Sequence, residues 1–283
     1  MVRVVQSAAA RYSPRPLTEG EQWTAAALMA LRRRRYRPEA WWAFLGDSLE
    51  RSRSSRAQRP ALAGQAARWG VAGGAAWTGA VLVARRKAPS SLLVGGLGWW
   101  LAVWRMLDWH LGMAEGGDGV PRARLSPADA VTLSRFWLIP ALPAAGRAGP
   151  ALPVLIALGG ATDWVDGALA RRHGRTRLGR DLDTTADLMF FSVAAVAAYR
   201  AGRLSRVGAR AIAARHGAGL ALSLAAVFGR ARRPAIRARP WGGLLRAGGL
   251  VLCAAGAEPV GTPILVAGCL VPPHSTAAGL SVA

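Results

Sequence analysis

Asp163–Asp187, DWVDGALARRHGRTRLGRDLDTTAD, carries five of the chain's fifteen acidic residues: Asp163, Asp166, Asp181, Asp183 and Asp187. Apolar sequence bounds it on both sides, ALPVLIALGGAT before and LMFFSVAAVAAY after. An aspartate at the middle of a membrane helix costs roughly 2.5–3.5 kcal/mol on the gentlest scale. Four such carboxylates without compensation would approach ~10 kcal/mol, comparable to the ~5–15 kcal/mol net stability of a whole protein. Positive charge must offset this, and a divalent cation is the simplest source.

The spacing sharpens the reading. Asp163 and Asp166 are three apart, Asp183 and Asp187 four apart, so each pair shares one face of a helix. Ala170, seven residues on from Asp163, falls on that same face. The polar, glycine-containing turn RRHGRTRLGR predicts two antiparallel helices whose acidic faces meet. An oxygen-rich cage of this kind suits Mg²⁺ or Mn²⁺, hard cations that prefer carboxylate and water ligands. Gly167 and Gly179 let a ligand approach the backbone closely, and Arg171 adds a fixed cation suited to phosphate oxygens. Asp181, next to Arg180, reads as an ordinary solvated ion pair.

Asp163-x2-Asp166-Gly167-x2-Ala170-Arg171-x7-Gly179-x3-Asp183-x3-Asp187 resembles the signature of the CDP-alcohol phosphatidyltransferase family. That family includes the membrane synthases of phosphatidylglycerophosphate, phosphatidylserine and inositol phospholipids. All eight defining residues stand in order, with a slightly short spacing between Arg171 and Gly179. Upstream, ADAVTLSRFWLIPALPAA matches a second family pattern at Thr132, Arg135 and Pro140, with Asp129 in the place of an asparagine. An acid there would repel a diphosphate. The resemblance covers about 128–283.

The resemblance implies a CDP-linked lipid such as CDP-diacylglycerol, an alcohol acceptor and release of CMP, with Mg²⁺ or Mn²⁺ as cofactor. By the same token Asp163, Asp166, Asp183 and Asp187 would hold the metal, Asp187 serving also as general base. Thr132, Arg135, Asp166, Gly167, Ala170, Arg171 and Gly179 would bind the CDP-lipid. Members are often homodimers, and a homodimer is compatible with this reading. After Asp187 the sequence LMFF lacks the lysine often found in glycerophosphate-using relatives and looks more like the serine-using branch; the acceptor stays open.

Composition agrees with a membrane setting. With 52% hydrophobic residues, 34 glycines and a positive mean hydropathy, the 283-residue chain reads as a multi-span membrane protein. The expected fold class is all-α: a polytopic membrane helix bundle, with a six-helix phosphatidyltransferase-like core preceded by about two extra hydrophobic helices. The net charge is +22, yet Lys87 is the only lysine among 37 basic residues. Such arginine bias, alongside much alanine, glycine and proline, suggests a coding bias that accounts for part of the charge. Cys253 and Cys269 lie in apolar stretches and imply no disulfide framework.

Three segments are expected: a basic cytoplasmic extension over 1–60, two hydrophobic helices and a linker over 61–127, and the core over 128–283. Thr18 and Glu21 predict a capping box opening a helix through TAAALMALRRRRY. Trp23, Trp41, Trp42 and Arg32 to Arg35 suit an anionic membrane face, a nucleic-acid patch or a solvated tail, and nucleic acid is not expected as a partner. Spans are predicted near 66–84 and 91–112, then near 150–170, 182–199, 208–229, 241–257 and 259–278. Arg105 and Asp108, three apart, could pair at the end of the second, and Asp108 with His110 reads as an interfacial, solvated end rather than a metal site. Five arginines in 171–180 and five in 230–240 place the motif end in the cytoplasm by the positive-inside rule, though arginines at 200–206 and the cluster at 85–87 oppose that orientation; the plasma membrane is the expected location. Two other readings stay open: a membrane prenyltransferase, which also holds a diphosphate with aspartates, and an ion transporter with intramembrane carboxylates.

Overall fold

The structure, a computed structural model, describes residues 18–83, 90–116, 118–146, 150–174, 176–228, 236–237, 240–272 and 274–275. It is all-α in character: among the described residues the only paired strands are the two-residue segments Ile236–Arg237 and His274–Ser275, which run antiparallel. The described residues divide into two compact units, one falling within 1–130 and 166–182, the other within 131–165 and 183–283.

In the first unit, α1 (Glu19–Arg33) opens on the predicted capping box. The Thr18 hydroxyl accepts from the Glu21 amide at 3.2 Å, and the Glu21 carboxylate accepts from the Thr18 amide at 3.0 Å. Two orphan helix amides are thereby satisfied reciprocally. Arg35 and Tyr36, at φ 51° and 56°, reverse the chain into α2 (Pro38–Gln58), whose first position is a proline. Residues 18–58 are thus two ordered helices.

α3 (Pro60–Val83) and α4 (Ser90–Trp109) follow, and small residues meet large rings where they pack. Gly70 faces Trp104, Gly73 faces Trp100, and Trp69 meets Trp100 edge-on at 5.2 Å. At the end of α4 the structure corrects the expectation of a solvated Asp108. Its side chain is 4% exposed, between Arg56 (3.2 Å) and Arg105 (3.1 Å), and accepts from the Ser52 hydroxyl. A carboxylate is tolerated there because two guanidiniums and a hydroxyl replace its hydration.

α5 (Pro127–Leu138) runs from the first unit into the second, where the four-residue α6 (Leu142–Ala145) follows. Next come α7 (Ala151–His173), α8 (Arg177–Arg200), α9 (Arg206–Phe228), α10 (Pro240–Ala254) and α11 (Glu258–Leu270). Within the second unit, Gly159 of α7 leaves its side-chain space to the fully buried Phe190 ring of α8. α10 and α11 approach closely as well: a Cβ on Gly261 would lie 2.7 Å from the Cys253 amide nitrogen. Small residues permit this backbone approach.

Among the described residues two helices, α7 and α8, are long and apolar enough to cross a bilayer. They match the spans expected near 150–170 and 182–199. α10 and α11, of 15 and 13 residues, are apolar but shorter. At 1.5 Å per residue they reach about 22 and 20 Å, against ~30 Å of hydrocarbon.

Candidate active site

The motif is built from two helix ends and the turn joining them. α7 ends at His173, and Gly174 follows at φ +82°, the left-handed conformation in which glycine commonly terminates a helix. Thr176 then caps α8: its hydroxyl accepts from the Gly179 amide at 2.8 Å. The same hydroxyl donates to Asp129 Oδ1 at 2.7 Å. Asp129 also makes a capping box with Ser126 at the start of α5, accepting from the Ser126 amide (2.9 Å) while its own amide donates to the Ser126 hydroxyl (3.1 Å). Asp129 is thus a buried joint between the starts of α5 and α8.

Gly179 belongs to that joint. A Cβ built there would overlap the Asp129 carboxylate and stand 2.9 Å from the Thr176 hydroxyl. At Gly167 a Cβ would meet only an Arg171 guanidinium nitrogen, at 3.4 Å. Asp166, Gly167, Ala170, Arg171 and Gly179 all lie in the first unit, Asp166 with 5% exposure.

In the second unit the structure brings together Asp163, Asp183 and Asp187. Each offers a carboxylate oxygen, and those three oxygens lie within 4.8 Å of one another. Their side chains are 53%, 40% and 38% exposed, so the cluster opens to its surroundings. Its inner wall is Arg135, whose side chain is fully buried. The Arg135 guanidinium donates to Asp183 Oδ1 at 3.1 Å and to Asp187 Oδ1, and its Nη2 is 3.8 Å from Asp163 Oδ1. Its Nε donates to the Thr162 hydroxyl at 3.2 Å, and that hydroxyl donates to the Gly159 carbonyl at 2.7 Å. Thr132, one turn before Arg135 in α5, is buried in the same unit.

Two groups of residues escaped the sequence reading. Thr162 and Thr176 orient Arg135 and the start of α8; Thr176, just after Gly174 and three residues before Gly179, carried a visible capping signal. Glu115 carried none. It lies in the stretch read as a linker, yet it is buried and accepts from the Thr18 hydroxyl at 2.5 Å. Arg177 Nη1 lies 3.5 Å from the same carboxylate, and the Arg177 amide donates to the Glu115 carbonyl at 3.0 Å. A backbone bridge pairs Gly116 with Thr176. Within the first unit, the cap of α1 and the start of α8 are therefore joined through one carboxylate.

Against known proteins, a family model described as CDP-alcohol phosphatidyltransferase matches residues 125–271, just over half of the chain. The chain belongs to the CDP-alcohol phosphatidyltransferase family. No curated protein and no solved structure matches it. The matched range starts just before the Ser126–Asp129 capping box and ends just past α11, so it contains Arg135 and all eight residues of the spaced motif. Family membership makes the chain a transferase of phosphatidyl groups from CDP-alcohols, with a CDP-alcohol and an alcohol acceptor as its substrates.

Members of this family generally depend on a divalent metal. The three carboxylates fit one. They supply only hard oxygen donors, the kind Mg²⁺ and Mn²⁺ prefer, and those oxygens are gathered within 4.8 Å of one another.

Proposed function

We propose that this family member transfers a phosphatidyl group from a CDP-linked lipid such as CDP-diacylglycerol to an alcohol acceptor, releasing CMP, in a reaction dependent on Mg²⁺ or Mn²⁺. The observation that carries this reading is the meeting of Asp163, Asp183 and Asp187 oxygens within 4.8 Å in a chain of this family. Asp163, Asp166, Asp183 and Asp187 are assigned as metal ligands. A divalent cation held there would neutralise diphosphate charge and favour departure of CMP.

The chain's own residues supply the rest. Asp187 takes the proton of the acceptor hydroxyl as that oxygen attacks the lipid-side phosphorus. The new P–O bond forms as the bond to CMP breaks, leaving a phosphodiester lipid. Thr132, Arg135 and Arg171 are assigned to the CDP part of the donor, guanidiniums being matched to phosphate oxygens. Gly167 and Ala170 leave the α7 face low beside Asp166. Gly179 lets α8 begin hard against Asp129 and Thr176.

The setting proposed is a multi-pass bundle in the plasma membrane, with α7 and α8, long and apolar enough to cross a bilayer, among its spans and the arginine-rich motif turn toward the cytoplasm. That orientation would give the nucleotide an aqueous approach while acyl chains stay in the bilayer. A homodimer is the proposed assembly.

The test is direct. Membranes containing the protein are incubated with CDP-diacylglycerol, Mn²⁺ and a panel of alcohols: serine, glycerol phosphate and inositol phosphate. Mass spectrometry should find one new phosphodiester lipid and an equal amount of CMP. Turnover of a prenyl diphosphate instead, or no CMP release with any alcohol, would overturn the assignment.

A further inference from the structure

The acid cluster already contains a cation. Arg135 is fully buried, and its guanidinium engages Asp163, Asp183 and Asp187, three of the four carboxylates assigned above to the metal. A guanidinium removed from water without anionic partners would be strongly disfavoured, so these contacts are what make its burial tolerable. Conversely, three carboxylates drawn within 4.8 Å of one another repel unless positive charge lies among them. Arginine and acids therefore stabilise each other.

A divalent ion entering this cluster would meet the guanidinium at short range. The two cations approach from different sides: the acids are 38–53% exposed, whereas Arg135 lies behind them with Thr162 holding its Nε. Both compete for the same carboxylate charge, and both cannot be served fully. We propose that Arg135 is the resident counter-ion of the cluster, its hold on the carboxylates displaced by the divalent cation as it binds. This rests on the reading of the three aspartates as metal ligands. It makes Arg135 a positioning residue that keeps the acids assembled before metal arrives and sets the metal affinity.

Purified full-length protein in detergent is titrated with Mn²⁺ alone, the free ion being followed by electron paramagnetic resonance. Arg135→Gln should bind Mn²⁺ about tenfold more tightly than the wild type, the span over which neighbours commonly tune metal sites. Arg135→Lys, which keeps a charge, should fall near the wild type. Equal or weaker binding by Arg135→Gln overturns the proposal. Asp163→Asn and Asp183→Asn separate the two readings. If they abolish binding while Arg135→Gln binds no more tightly, only the counter-ion proposal falls; if they leave binding unchanged, the metal-ligand reading falls with it. Should Arg135→Gln fail to fold, the wild type decides alone: phenylglyoxal modification of Arg135, mapped by mass spectrometry, should rise on adding Mn²⁺, and unchanged labelling overturns the proposal.

Discussion

Replacing Gly179 by alanine tests whether this glycine serves packing within the protein. The new methyl would overlap the Asp129 carboxylate and lie 2.9 Å from the Thr176 hydroxyl. Asp129 is 2% exposed and held by the Ser126 amide and the Thr176 hydroxyl, so it can yield only by loosening those bonds. Losing one hydrogen bond to a charged group costs about 1.5–3 kcal/mol, and overpacking a tight site about 1–3 kcal/mol. Alanine returns about 1 kcal/mol of helix propensity, leaving a net loss of about 2 kcal/mol if the site relaxes in part. In a domain of this size that lowers the melting temperature by about 4–8 °C. Thermal unfolding followed by far-ultraviolet circular dichroism measures it. Asp129→Ala in the Gly179→Ala background should recover part of the loss, because the double variant has room for the methyl. The reasoning is refuted if Gly179→Ala melts like the wild type while the Michaelis constant for the CDP-lipid rises, which would assign the space to the nucleotide instead.

Four further outcomes are expected. Asp187→Asn should lower transfer by about 10²–10⁴-fold while equilibrium binding of the CDP-lipid persists; lost binding with an intact rate would contradict the base assignment. Asp163→Asn should shift the Mn²⁺ activation curve and nucleotide binding to higher concentrations together, and chelation with EDTA should abolish turnover of the wild type reversibly. Gly159→Leu would force a side chain into the space of the Phe190 ring, and an unchanged melting temperature would show that α7 and α8 do not pack as described. Glu115→Ala leaves Arg177 and the Thr18 hydroxyl facing an apolar methyl and should cost about 1–3 kcal/mol, read as reduced thermal stability.

The parts of this molecule legible in its sequence are those written over three or four residues. Thr18 and Glu21 announced a capping box, and the structure forms it. Asp183 and Asp187, one turn apart, announced a shared acidic face, and Asp163 joins them. What depends on distant partners was illegible. Arg135 matched a family pattern, but its pairing with Asp183 and Asp187 spans 48 and 52 residues, and no local spacing encodes it. Glu115 shows the same limit, one partner capping α1 and the other opening α8. Asp129 is an instructive middle case. Judged by the family position it looked like a repulsive neighbour for a diphosphate, yet Ser126-x2-Asp129 was a readable cap, and the carboxylate is engaged by Ser126 and Thr176. At Asp108 the pairing with Arg105, three residues away, is local and legible, whereas Arg56 belongs to a helix that local pattern does not reveal, and its contact is what makes the carboxylate buried rather than solvated.

The Thr18–Glu115–Arg177 junction bears on how the chain is made. Thr18 waits 97 residues for its partner, and Glu115 a further 62 for Arg177. On a ribosome, α1 and α2 emerge long before the segment they fasten to, and contacts of such large sequence separation form slowly. The α1–α2 pair can meet Asp108 and Glu115 first, but only when residue 177 has left the exit tunnel can the junction close in full.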